Sequence, residues 1–118
     1  MITLFDRYGM PIAYSDDLEN IYLFSGEPVA YIVGDSIYAY YGAHLGWFID
    51  GWVRDHNGDA VFFTETAKNG PFKPFKQFKP LKGLKLLKPL KGLRELKPLR
   101  SINNLAWSSL SGEGFFNS

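Results

Sequence analysis

Residues 71–100 read PFKPFKQFKPLKGLKLLKPLKGLRELKPLR, ten consecutive triplets whose middle residue is always Phe or Leu and whose third is always Lys or Arg. The rhythm excludes an α-helix, because three residues advance about 300° around its axis and would smear the apolar stripe by about 60° per triplet. Pro74, Pro80, Pro89 and Pro98 lack the N–H that a helix or a long 3₁₀ stretch would use, and each pushes its predecessor into the extended region. Polyproline II, with three residues per turn and no internal hydrogen bonds, accommodates the pattern. The expected object is a rod with an apolar edge, a cationic edge and a Pro/Gly edge.

A period of nine is nested in the period of three. Residues 79–87 read KPLKGLKLL, 88–96 read KPLKGLREL, 97–105 read KPLRSINNL and 70–78 the related GPFKPFKQF, four copies in all. Pro and Lys enrichment alone would favour a disordered tail, but an apolar residue in every triplet has no purpose in one.

The preceding half carries a repeat of its own. Gly9, Gly26, Gly42 and Gly58 are each followed three positions later by Ile12, Val29, Leu45 or Val61, and two positions after that by Tyr14, Tyr31, Trp47 or Phe63. On a regular strand these two sets share a face. Four positions after the glycines stand Ala13, Ala30, Gly46 and Phe62, three small residues fitted to close approach near an axis and one large exception. Asn57-Gly58, and more weakly Tyr8-Gly9, Ser25-Gly26 and Tyr41-Gly42, read as two-residue hairpin loops in which glycine supplies the positive φ. Asp16-Asp17, Gly34-Asp35 and Asp50-Gly51 supply the turns between copies. Residues 1–66 are thus expected to be four β-hairpins in a meander, with 67–105 packed on them as part of the same domain and 106–118 as an aromatic tail. The fold class is all-β, four hairpin repeats about a pseudo-four-fold axis with an extended polyproline-II-like segment around them.

Charge divides the chain in the same place. Residues 1–66 set two arginines against ten acids, net −8, whereas 70–118 set ten bases against Glu95 and Glu113, net +8. Either the basic half meets an anionic partner or the halves neutralise each other. A straight rod of 30 residues would extend ~93 Å at ~3.1 Å per residue, far beyond a body roughly 35 Å across, so it must wrap. Four nonapeptides of ~28 Å sum to about the circumference of such a body. Each is expected to pass one hairpin, its Phe/Leu edge on the sheet and its Lys edge outward or toward carboxylates. Leu84→Asp should then destabilise strongly and Lys85→Glu mildly.

The segments GEPVAYI (26–32), HLGWFIDGW (44–52) with the following VRDHNG (53–58), and the repeated KPLKGL resemble the bacterial four-fold β-flower proteins over nearly the whole chain. The resemblance implies four β units around a pseudo-four-fold axis and brings no activity with it, so no residue receives a catalytic role by analogy.

Candidate binding residues fall into two groups. His44, Trp47, Trp52 and His56 lie near the expected hairpin axis, and a small-molecule or enzyme site there is the third reading. Lys73, Lys76, Lys79, Lys82, Lys85, Lys88, Lys91, Arg94, Lys97 and Arg100 form a basic edge for nucleic acid or an anionic membrane surface, the second reading. Asp55, His56, Asn57 and Asp59 are sufficiently explained by a turn and lack the spacing of a calcium loop. No metal, cofactor or catalytic residue is assigned, since no nucleophile is spaced to either histidine and no glycine-rich loop opens a helix. With no cysteine, thiolate sites and disulfides are excluded. No apolar run reaches the ~18 residues of a membrane span and no leader pattern precedes residue 16, so the default expectation is a cytoplasmic protein. Trp107, Leu110, Phe115 and Phe116 are too apolar for a free tail, and exposed phenylalanines would favour self-association. The first reading is a non-enzymatic binding or assembly module.

Overall fold

The computed structural model describes all 118 residues. Eight antiparallel strands, β1 (Ile2–Phe5), β2 (Pro11–Ser15), β3 (Asn20–Leu23), β4 (Pro28–Val33), β5 (Ser36–Tyr38), β6 (His44–Ile49), β7 (Trp52–Arg54) and β8 (Ala60–Phe63), pair each with the next and close into a barrel. Closure rests on one register pair, Phe5 opposite Phe63, whose rings stack at 5.2 Å. A single 3₁₀ turn, Glu113–Asn117, is the only helical element.

The same irregularity recurs in four hairpins. Register shifts after Leu4, Ile21, Ile37 and Val53 put two residues of the returning strand opposite one. Such bulges bend and twist a strand. They also correct the shared-face expectation. Ile12, Val29, Leu45 and Val61 sit in the bulges and pack with the barrel core, whereas Tyr14, Tyr31 and Phe63 belong to separate aromatic clusters on the outer wall. Asp6, Leu23, Ala39 and Asp55 each bond across a loop to the residue four on, with glycine at φ between 80 and 111°. The loops therefore hold three residues, a turn closed by a left-handed glycine, rather than two.

Leu4, Ala13, Ile21, Ala30, Ile37, Val53 and Phe62 fill the inside. An eight-stranded barrel is just wide enough to be packed by its own side chains, but three of the four positions after the turn glycines are small. The C-terminus supplies the missing volume: Phe115 and Phe116 are buried against Phe62, with ring centroids 5.8 and 5.6 Å away. Small residues at 13, 30 and 46 make room for this plug, and Phe62 is its platform. The tail phenylalanines are therefore inside the barrel and unavailable for self-association.

Residues 71–105 form no helix or strand and encircle the barrel, giving extents of 36 × 36 × 22 Å. Only the first residue of a triplet bonds to the body through its backbone. The N–H groups of Gln77, Leu86, Glu95 and Asn104 donate to the carbonyls of Gly9, Gly26, Gly42 and Gly58, and those of Gly83 and Gly92 donate to Phe24 and Tyr40. The nonapeptide is explained by this alternation of a proline with no N–H to place, a glycine and a third residue that each donate one.

The apolar edge faces the opposite way from the expectation. The ten middle residues, Phe72 to Leu99, are 91 to 99% exposed, while the side chains of Lys79, Lys82, Lys85 and Lys97 are 37 to 55% exposed. Backbone contact is the cause. A Cβ on Gly26 would lie 1.9 Å from the Leu84 oxygen, and one on Gly83 would lie 2.3 Å from the Ser25 oxygen. Only the edge without side chains can approach so closely. Leu84→Asp should accordingly change stability by no more than about 0.5 kcal/mol, and Lys85→Glu should be the more damaging of the two because it sets a carboxylate against Asp16. Paired thermal melts check the order; a larger loss at Leu84 would contradict the observed orientation.

Candidate functional site

The outer wall carries aromatic groups where strands of neighbouring hairpins meet. Tyr14 and Tyr22 stack at 5.9 Å beside Phe24, and Tyr31 and Tyr38 stack at 5.9 Å beside Tyr40. The cationic edge drapes over these rings. Lys82 stands 4.4 Å from the Tyr14 centroid and Lys85 4.9 Å from Tyr22; Lys91 stands 4.4 Å from Tyr31 and Arg94 5.6 Å from Tyr38. A cation over a ring face is worth roughly 0.5–1 kcal/mol when exposed. Carboxylates complete the match: Lys85 and Lys82 reach Asp16 at 2.7 and 3.4 Å, Lys97 reaches Asp35 at 2.7 Å and Lys79 reaches Glu65 at 3.4 Å. Hydrogen bonding from Lys85 holds the Asp16 carboxyl low, and that from Lys97 does the same for Asp35.

Most of the expected basic binding edge is thus engaged within the molecule. Lys73 donates to the Ala67 carbonyl at 2.7 Å and Arg100 to the Asn103 side chain at 2.9 Å. Lys76 and Lys88 alone among the ten have no ion-pair, hydrogen-bond or ring partner.

Phe5, Tyr22 and Tyr38 stand four positions before the first three turn glycines, and Arg54 holds that place before Gly58. Arg54 replaces the ring, and its buried guanidinium donates to the carbonyls of Gly58 and Asn104 at 2.7 Å and of Asn69 at 3.2 Å. Burial depresses its proton affinity, with Arg100 adding to the effect. The last nonapeptide, KPLRSINNL, loses its regularity in this quarter. Asn104 donates from its side chain to the Asn57 carbonyl and to Asp59, and Ser101 donates to the His56 carbonyl. Trp52 lies elsewhere, donating to the Lys68 carbonyl and packing with Phe63 and Trp107, so it does not join Trp47 in one site.

His44 and His56 do come together. His44 Nδ1 lies 2.9 Å from His56 Nε2, its Nε2 lies 3.1 Å from Ser36 Oγ, and its ring contacts Trp47 at 4.6 Å. The backbone N–H of His44 donates to Glu95 at 2.7 Å. A cavity of about 210 Å³ lies beside the pair, lined in part by Asp55, Asn57 and Ser118. Burial lowers the His44 pKa to about 4, with the His56 charge adding to it, so the ring is neutral near pH 7. It acts as a hydrogen-bonding strut, and Ser36 beside it is itself buried. Sequence reasoning missed Ser36 and Glu95, which carry no motif; position 44, a proline in the first two hairpins, was the visible signal.

This strut has a pH signature. Between pH 6.5 and about 4 the unfolded chain accepts a proton at His44 that the folded chain refuses, so stability should fall as pH drops through that window, and the His44 contribution to the fall should end below it. The Asp16 and Asp35 pairs are lost only below the ordinary carboxylate range, outside this window. His44→Gln should flatten the slope in thermal melts; an unchanged slope would show that His44 is not held neutral.

A closed, plugged, eight-stranded antiparallel barrel with a basic strap tied to the turns at one end is the class of protein defined by this arrangement. The chain belongs to the 4-fold beta flower proteins, whose family model matches residues 2–116. No curated protein and no solved structure shows significant similarity to it.

Proposed function

We propose that this protein is a non-enzymatic binding or assembly module whose working surface is the outward Phe/Leu ring. Its four hairpins are read as copies about a pseudo-four-fold axis, with the strap following a polyproline II path. The carrying observation is the exposure of the ten middle residues, 91 to 99% each, in an unbroken series. Ten large apolar side chains left uncovered in so regular a series point to a partner outside the molecule. The barrel and plug already supply a full core, so the ring adds nothing to folding that would explain its regularity. Anion binding through the Lys/Arg edge is less well supported, because eight of those ten side chains have partners inside the molecule. At the cavity by His44 and His56 the one lining hydroxyl, Ser118, donates to the Phe115 carbonyl at 2.7 Å and bonds neither ring.

The ring is tested by replacing Leu87, Leu90 and Leu93 with serine. Retention on a hydrophobic-interaction column and the fluorescence of a polarity-sensitive dye should both fall in steps, with the melting temperature unchanged. A wild-type protein that ignores column and dye alike would reject the ring as the working surface.

A further inference from the structure

Resting on that reading, we propose that the ring docks on the surface of an anionic lipid bilayer, its Phe and Leu side chains entering the layer between headgroups and acyl chains. The geometry favours a flat partner. Gln77, Leu86, Glu95 and Asn104 tie the strap to the four turn glycines, all at one end of the barrel, so the ring is held at one level across a body 36 Å wide. A planar surface touches every quarter at once, whereas a globular protein touches one or two.

The residues around the ring suit a membrane interface. Tyr8 and Tyr41, at the tips of two of the same turns, are 68 and 67% exposed, and Met10 follows the first. Tyrosines concentrate at the level of lipid headgroups. Lys76 and Lys88, without partners in the molecule, remain available for anionic lipid, which attracts basic residues near its surface. This end also carries carboxylates: Asp6 and Asp55 cap their own turns, Asp59 bonds Asn104, and Glu27 follows the second turn glycine. The loops at the other end carry Asp17, Glu19 and Asp50 outside any ion pair, and Asp16 and Asp35 paired to Lys82, Lys85 and Lys97. The exposed Phe/Leu series and the unpartnered Lys76 and Lys88 set the orientation, ring down and the other loops away.

Depth is limited by the strap itself. Unpaired backbone groups cannot enter hydrocarbon, and many of the strap's N–H and C=O groups have no partner in the protein. The backbone stays among the headgroups while side chains reach below, as in interfacial helices that sink about 5–10 Å.

The test is flotation of the full chain with vesicles of phosphatidylcholine alone or mixed with phosphatidylglycerol. The wild type should float with the mixed vesicles and about tenfold less with the neutral ones. Leu87→Asp/Leu90→Asp/Leu93→Asp should reduce flotation about tenfold or more with the melting temperature unchanged, and Lys88→Glu should weaken binding to the mixed vesicles alone. No flotation with either vesicle, or a triple variant that floats like the wild type, would overturn the inference. If the protein instead forms leucine-dependent oligomers by light scattering and ignores vesicles, the membrane inference falls and the ring remains the working surface. If it does neither and ignores the hydrophobic column, both readings fall.

Discussion

Gly26→Ala should unfold the protein at far lower urea than any substitution in the Phe/Leu ring. Two costs coincide at this position. The backbone φ is 102°, where a Cβ costs about 1–3 kcal/mol. That Cβ would also lie 1.9 Å from the Leu84 carbonyl oxygen and 2.7 Å from its carbon, neither of them a flexible side-chain end. The strap must move away, which breaks the bond from Leu86 N–H to the Gly26 carbonyl, worth about 0.5–1.5 kcal/mol. Together the loss should be about 1.5–4.5 kcal/mol, a large share of the ~5–15 kcal/mol that holds a small domain folded. Gly34→Ala is the internal control: φ is 61° and nothing lies within 4 Å, so only the backbone cost of about 1–2 kcal/mol remains. Limited trypsinolysis adds a local readout, since a released strap exposes its lysines near residue 85. Equal losses at 26 and 34 would show that strap contact contributes nothing.

Phe115→Ala should be comparably severe for a different reason. The ring is fully buried inside the barrel, within 3.2 Å of the position a Gly46 Cβ would occupy and edge-on to Phe62 at 5.8 Å. Removing a buried phenylalanine typically costs about 3–5 kcal/mol, because a closed barrel cannot collapse into the void. Phe78→Ala removes the same atoms from a side chain 99% exposed and should be silent. Denaturant melts of the pair measure the difference, and similar midpoints would mean that the plug is not seated in solution.

The sequence made some of this legible and hid the rest for identifiable reasons. Glycines at intervals of 16 or 17 residues marked hairpins because three-residue loops require a left-handed residue, and one nonapeptide per hairpin was readable from the count. The facing of the strap was not. Treating the Phe/Leu edge as the buried one applied the usual rule for amphipathic elements, but glycines on both partners, Gly26 with Gly83 and Gly42 with Gly92, meant that backbones meet there. The aromatic series at 14, 31 and 47 was the companion signal, offering ring faces to lysines. At the candidate site the pairing of His44 with His56 joined residues on opposite sides of β7, and the roles of Ser36 and Glu95 depend on register alone. The bulges hid the separation of Ile12 from Tyr14, since a period of two holds only on a regular ladder.

The strap meets the turns once every nine residues, while successive turns are 16 or 17 residues apart. The two periods mesh like gears, tooth for tooth, and this constrains how such a chain can change length. Losing one strap residue would swing the lysines into the place of the leucines from that point onward. Losing three would keep each edge aligned yet put proline where the N–H of Leu86 or Glu95 bonds a turn carbonyl, and a side chain where glycine is needed. Only the gain or loss of a whole nonapeptide, matched by a whole hairpin, leaves the teeth engaged.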